Sequence, residues 1–360
     1  MLKVCIPMAT SAQGIHPFAA EFAALTGHLP FPWQEKLFRH FLSGEWPSDI
    51  SLPTGTGKTA IMAIWLLALA QQAVQETQTV SIPRRLVWVV NRRVVVDQAT
   101  DEAEEIRKCL CDPQITQLES IRQALGGLSL AETNEELLAI STLRGQKEDN
   151  REWSANPSRP AITVGTVDMI GSRLLFSGYG ASFRTKPLYA GFLGQDALLI
   201  HDEAHLEPAF QKLVVTLKKE QDRCKEFKKF HVMALSATSR EENNGDEEEP
   251  FELTEEERNP QPLSGNPTQP LEHLWQRLGA KKKLILEPNA EKPADAIANC
   301  ALKFKDTGCA VLVYAREVEQ VKTITDKLRK SCGVEMLTGT QRGFERNKSR
   351  PGPCRSRPRP

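Results

Sequence analysis

The residues best suited to chemistry lie in two short runs, SLPTGTGKT at 51–59 and LIHDEAH at 199–205. Phosphate oxygens need donors that approach without side-chain obstruction, and Gly55 and Gly57, flanked by Thr54 and Thr56, offer bare backbone N–H groups. The loop opens onto an apolar helix, whose N-terminus favours an anion. Lys58 reaches β- and γ-phosphates as a point charge, and Thr59 can ligate magnesium. Asp202 and Glu203 follow four apolar residues and a histidine, at the C-terminal end of an expected strand. In open parallel sheets that edge is where ligands bind. Asp202 would hold Mg2+, and Glu203 would orient and deprotonate an attacking water. Either run alone is a weak signal. Together, some 145 residues apart, they form the two halves of a site that hydrolyses a nucleoside triphosphate.

Further residues fit around this pair. Ser236, Ala237 and Thr238 end the next expected strand, and with His205 they can relay nucleotide state to another domain. Gln34 lies 24 residues before Lys58. Its amide can read adenine through paired hydrogen bonds, and Phe31 can stack on the ring, which makes ATP the expected nucleotide. The alternative for Gln34 is a polar helix-surface residue. The full G-x-x-x-x-G-K-[ST] pattern calls for glycine at position 52, where this chain has Leu52. His201-Asp202 resembles a metal-nuclease pair, but the partner histidines such a site needs are missing around it.

The elements that must position these residues follow from the apolar pattern. Phe31–Leu42 has apolar residues at helical spacing, and the helix from Lys58 to about Val74 is apolar on most sides, so central. Arg85–Asn91, Ala161–Val167, the run into Asp202 and Phe230–Thr238 read as strands buried on both faces. Helices between them imply a parallel sheet flanked by helices, an α/β fold. Residues 1–30 show no pattern, and 112–140 read as a helical, polar surface insertion. Residues 241–280 begin acidic and become rich in Pro, Asn and Gly, the composition of a solvated linker. Strands at Lys282–Pro288, Ala310–Arg316 and Val334–Leu337, with helices between, start a second α/β domain. The last residues, 347–360, are rich in Arg and Pro: either a basic tail that binds nucleic acid, or residues that follow a lost reading frame.

Net charge is zero over 360 residues, with 46 Lys+Arg against 46 Asp+Glu, so no global field points to nucleic acid or membrane. Eight cysteines without a C-x-x-C pair fit a reduced cytoplasm and argue against a zinc site. The longest apolar run, Ala60–Ala70, is too short to span a bilayer.

With these motifs in order, the chain resembles the superfamily 2 helicases of DEAD/DEAH type. The segments VVNRRVVVDQ (89–98), STLRGQ (141–146), ITVGTVDMIGSRLLFSGYG (162–180) and LTGTQRGFER (337–346) are similar to the CRISPR-associated helicase-nuclease of type I systems, in its type I-U or I-G variant. The resemblance covers roughly residues 31–346. It implies two RecA-like domains with ATP between them, the first at 31–240 and the second at 281–346. It also implies a 3′→5′ translocase on single-stranded DNA that acts as a monomer and is recruited by an RNA-guided surveillance complex, with no membrane partner. Arg92, Arg93, Arg144 and Thr166 match positions on the first-domain strand path, and Arg316 and Thr338 on the second. There they would grip phosphates, with salt-sensitive and largely sequence-blind binding.

The family also has an arginine-rich second-domain motif, a finger contributing ~10³–10⁵ in rate in related phosphoryl-transfer enzymes, and an HD nuclease. Neither is found here, and Gln341–Gly343 comes too early to be the finger. The expectation is therefore an N-terminal fragment with a complete first domain and a partial second, and with weak hydrolysis. A helicase of repair or RNA metabolism, a nucleotide-gated binding module and an inactive remnant are the alternatives.

Overall fold

A computed structural model of the chain describes residues 17–74, 81–129, 131–143, 152–226, 230–237, 249–261, 266–280, 283–286, 292–336 and 338. It divides into two compact units, 1–280 and 281–360.

The first unit runs α1 (Pro17–Thr26), α2 (Pro32–Ser43), β1 (Asp49–Ser51), α3 (Ile61–Val74), β2 (Arg85–Val90), α4 (Arg93–Cys111), α5 (Glu119–Ser129) and β3 (Ala139–Leu143). It continues with α6 (Glu152–Ala155), β4 (Ala161–Thr166), α7 (Val167–Leu174), α8 (Lys186–Gly194), β5 (Ala197–Asp202), α9 (Pro208–Cys224) and β6 (Phe230–Ser236). It closes with β7 (Phe251–Glu252), α10 (Glu255–Arg258) and α11 (Pro270–Leu278). The strands form one seven-stranded sheet in the order β3-β4-β2-β5-β6-β1-β7, and every pairing is parallel. It is a RecA-like α/β sheet, as expected.

The near-continuous apolar strands face two cores. In β2, Leu86, Trp88 and Val90 enter the core under α1–α5, while Val87 and Val89 enter the one under α7–α9. Strands β5 and β6 divide the same way, with Leu198, Ile200, Met233 and Leu235 on the first face and Leu199 and Val232 on the second. Helix α3 is enclosed on all sides, Ile61 through Ala70 having no exposed surface. This explains why its sequence shows no polar face.

Three expectations differ from the fold of the first unit. Residues 17–26 form a helix, because Phe18, Phe22 and Leu25 at helical spacing pack into the first core. The insertion at 112–140 is integral instead. Leu118, Ile121 and Leu125 are buried, and Ala139–Leu143 is the edge strand β3 paired with β4. The linker segment also carries ordered elements. Beyond 241–248, which lie outside the described residues, Phe251 and Leu253 are buried, β7 pairs with β1, and α11 seats Leu274 in the core. Composition hid these because a few apolar anchors suffice when a core is already present.

In the second unit, α12 (Pro293–Leu302) and α13 (Val318–Leu328) pack through Ala298, Ile324 and Leu328. The three strands expected there form no ladder among the described residues, and Leu284, Leu286, Leu312 and Tyr314 are exposed. The tail at 347–360 lies outside the described residues.

Candidate active site

Parallel pairing brings the C-terminal ends of all the strands to one edge. Strand β6 lies between β5 and β1, with Asp202 in register with Leu235 and Ser51 with Ser236. The topology thereby places the glycine-rich loop and the acidic run on either side of a single strand. The Leu52 N–H donates to the Ser236 carbonyl at 3.1 Å, joining the loop's root to the end of β6. Leu52 is fully buried. The residue that departs from the generic phosphate-loop pattern is thus a core anchor before the loop begins.

The loop turns on Gly55 and Gly57, at φ of 83° and 82°, a left-handed conformation that costs a side-chain-bearing residue free energy. It is held from several sides. Thr56 Oγ1 donates to the Pro53 carbonyl at 2.8 Å, and Trp33 Nε1 donates to the Thr56 carbonyl at 3.2 Å. The Gln34 amide is buried, accepting from the Phe31 N–H at 2.8 Å and donating to the Gly57 carbonyl at 3.2 Å. Gln34 is therefore no surface residue, and these two bonds use one of the two lone pairs and one of the two N–H groups of its amide. A Cβ on Gly57 would lie 3.2 Å from Gln34 Nε2 and 3.7 Å from the Phe31 ring. A short 3₁₀ turn, Lys58–Ala60, then leads from the loop into α3.

The electrostatics suit a phosphate and a divalent cation. Lys58 Nζ is buried without a hydrogen-bond partner. Burial pushes the Asp202 carboxyl above its ordinary pKa, and the Glu203 carboxylate adds to this. The Lys58 ammonium, the Glu203 N–H and the indole of Trp88 pull it part of the way back. The Trp88 N–H meets no acceptor in full hydrogen-bond geometry. A phosphate would complete Lys58, and a cation would relieve Asp202. One carboxylate and the Thr59 hydroxyl are the few protein donors Mg2+ takes when it keeps waters and substrate phosphates. Glu203 sits at φ 53°, ψ 45°, left-handed for a non-glycine residue, and such strain concentrates at functional sites. Its carboxylate stands 3.5 Å from His205 Nδ1. Behind the acids, His201 Nδ1 and Gln211 Oε1 are 2.8 Å apart, and the ring meets Phe210 edge-on, so His201 is packed into the core.

Among the coupling residues, Ser236 is buried and Ala237 half-buried at the end of β6, while Thr238 lies outside the described residues. Of the residues expected to contact nucleic acid, Arg92 is exposed at the start of α4, and Thr166 ends β4 on the same sheet edge. The Thr166 hydroxyl accepts from the Met169 N–H at 3.4 Å, capping α7. Arg93 opens α4, and its side chain lies outside the described residues, as does all of Arg144. Arg316 is exposed and Thr338 half-buried, both in the second unit.

Three residues of the site escaped the sequence reading: Trp33, Trp88 and Arg277. Trp33 is adjacent to Gln34 and was legible in principle, since a buried indole N–H needs an acceptor. Trp88 reads only as part of a strand, and Arg277 lies in the expected linker.

The family described as Type III restriction enzyme, res subunit, matches residues 28–241. No curated protein matches the chain. Among solved structures, the DUF1998 helicase MrfA bound to DNA superposes with a TM-score of 0.53 at 13% identity, covering 95% of this chain and 40% of that one. MrfA without DNA gives 0.48 at 15% identity, covering 90% and 41%. A nuclease-deletion mutant of the type ISP restriction-modification enzyme LlaGI, in complex with a DNA substrate mimic, gives 0.36 at 12%, covering 78% and 23%. The chain thus spans well under half the length of these proteins, and the likeness bears on the fold alone.

Proposed function

Because the chain belongs to the family described as Type III restriction enzyme, res subunit, we propose that it binds Mg-ATP and hydrolyses it to move along nucleic acid, as superfamily 2 helicases do. One observation carries this reading. The ammonium of Lys58, which has no hydrogen-bond partner, and the burial-strained carboxylate of Asp202 share the edge where β1 and β5 end on either side of β6. The loop N–H groups from Gly55 to Thr59, with Lys58, would hold the β- and γ-phosphates. Thr59 and Asp202 would hold Mg2+, which when bound neutralises charge developing on the phosphoryl oxygens. Glu203 takes the proton of the attacking water at its carboxylate, and His205 orients it. Ser236, Ala237 and Thr238 pass the change onward, and the Leu52–Ser236 backbone bond gives that relay a direct path from the loop.

The finer proposal is a CRISPR-associated helicase of type I-U or I-G, acting as a cytoplasmic monomer on single-stranded DNA opened by an RNA-guided surveillance complex. Its support is the set of segments between the ATP motifs, together with the DNA-bound state of the helicase whose fold this chain shares. Arg92, Arg93, Arg144, Thr166, Arg316 and Thr338 are the proposed phosphate contacts. No helix among the described residues is long and apolar enough to cross a membrane.

The test is ATP binding and hydrolysis by the full chain with single-stranded DNA, RNA or a surveillance complex on its target. Weak DNA-stimulated turnover, abolished in Lys58→Ala, is the expected result. Turnover that survives Lys58→Ala rejects the site, and stimulation by RNA alone favours a helicase of RNA metabolism.

A further inference from the structure

Helix α11 reaches the phosphate loop from a segment whose composition reads as linker. Its N-terminus is capped by Glu272, whose carboxylate accepts from the N–H groups of Thr268 and Gln269 at 2.6 and 3.0 Å. Leu274 is fully buried, and Leu271 and Leu278 pack beside it on the core that includes Phe31 and Trp33. Trp275 Nε1 donates to the Glu256 carbonyl at 3.0 Å, tying α11 to α10. This anchoring delivers Arg277 to two places at once. Its Nη1 donates to the Gly55 carbonyl at 2.9 Å, and its guanidinium carbon lies over the Phe31 ring, 5.2 Å from the centroid.

We propose that Arg277 is a specificity-determining residue of the nucleotide site: the wall opposite Phe31 in a slot for a purine base, whose edge the Gln34 amide reads. The inference rests on the ATP reading above. A planar guanidinium stacks on aromatic faces as an ammonium does not. The Phe31 ring, the Gln34 amide and the Gly57 backbone already meet at this corner, and Arg277 closes one side of it with a cation. A base held between two planes needs about 3.5–4 Å on each face, so the guanidinium must withdraw by roughly 2–3 Å to admit it. That movement breaks the bond to Gly55. Base insertion therefore exchanges that bond for a stacking contact with the base. Arg277 is exposed, so its replacement leaves the core intact.

The test is calorimetric binding of Mg-ATP, Mg-CTP and inorganic tripolyphosphate to the full chain, compared with Arg277→Ala, Arg277→Lys and Lys58→Ala. Arg277→Ala should weaken ATP about tenfold and narrow the preference for ATP over CTP, while tripolyphosphate binds as before. Arg277→Lys should behave like the alanine variant, because charge without a plane cannot stack. Unchanged or tighter ATP binding in Arg277→Ala overturns the proposal, as does equal loss of ATP and tripolyphosphate. Lys58→Ala separates the two levels. If it retains both ligands, the ATP site itself is misplaced and the slot falls with it. If it loses both while Arg277→Ala changes nothing, only the slot is wrong.

Discussion

Gln34 spans the gap between the start of α2 and the phosphate loop, with its Oε1 2.8 Å from the Phe31 N–H and its Nε2 3.2 Å from the Gly57 carbonyl. The residue proposed to read a base thus also supports the glycine-rich loop. Gln34→Ala strands one buried and one part-buried backbone group, at a cost of about 1–3 kcal/mol. The melting temperature without nucleotide should fall by several degrees. Nucleotide binding lost with no change in melting would show that Gln34 serves the ligand only.

Asp202 gives a pH-dependent prediction. Its pKa in the fold is raised from an ordinary 3.8, chiefly by burial. The native state therefore holds the proton more tightly than the unfolded chain, and stability falls as pH rises from 3.8 through the folded pKa. Above that window the ionised carboxylate is a standing cost. Asp202→Asn should be at least as stable as the parent at neutral pH, with the difference vanishing below the unfolded pKa, while Mg2+-dependent turnover is lost. Urea titrations across pH check the sign. A variant less stable than the parent at pH 7 would mean that the carboxylate is better satisfied than its burial suggests.

Lys58 is the complementary case. Its buried ammonium lacks a hydrogen-bond partner and acts in the fold only through its attraction to Asp202, so Lys58→Ala trades that attraction for relief of an unsatisfied polar group and should move the melting temperature little without nucleotide. Added Mg-ATP should stabilise the parent, by about 2.7 kcal/mol at a hundredfold excess over Kd, and leave the variant unmoved. A thermal-shift titration of both proteins decides this, and an equal ATP shift in the two would refute it.

Leu274 tests the seating of α11. The side chain is fully buried in the first core, and Leu274→Ala should cost about 2–5 kcal/mol if the helix belongs to that core. Hydrogen exchange should then accelerate in α11 and in the loop it contacts through Arg277. Protection in α11 that is already absent in the parent protein would show the helix to be detached in solution.

The local pattern was legible where the chemistry is local. A glycine pair before Lys58-Thr59 makes an anion-binding turn in almost any context, and acids at the end of an apolar run mark a strand edge. Four buried strands read correctly because residues between two cores are apolar at nearly every position. The pattern misread α1, β3 and the segment from β7 to α11, where a few anchors such as Phe22, Leu143, Phe251 and Leu274 gain their burial from cores built by other elements. In the second unit, apolar runs such as 283–286 and 310–314 read as strands yet form no ladder among the described residues, because a strand needs a neighbour for its backbone groups.

The amino-acid sequence by itself pointed to the class of chemistry and to the residues proposed to carry it, because phosphate, magnesium and water each demand particular groups at close spacing. Tertiary structure alone decided how those groups meet. The strand order that places β6 between the two motifs, the tryptophan and amide that hold the loop, the burial that strains Asp202 and the arrival of Arg277 at Gly55 from 222 residues away all depend on contacts between segments distant in the chain, and no local pattern records such contacts.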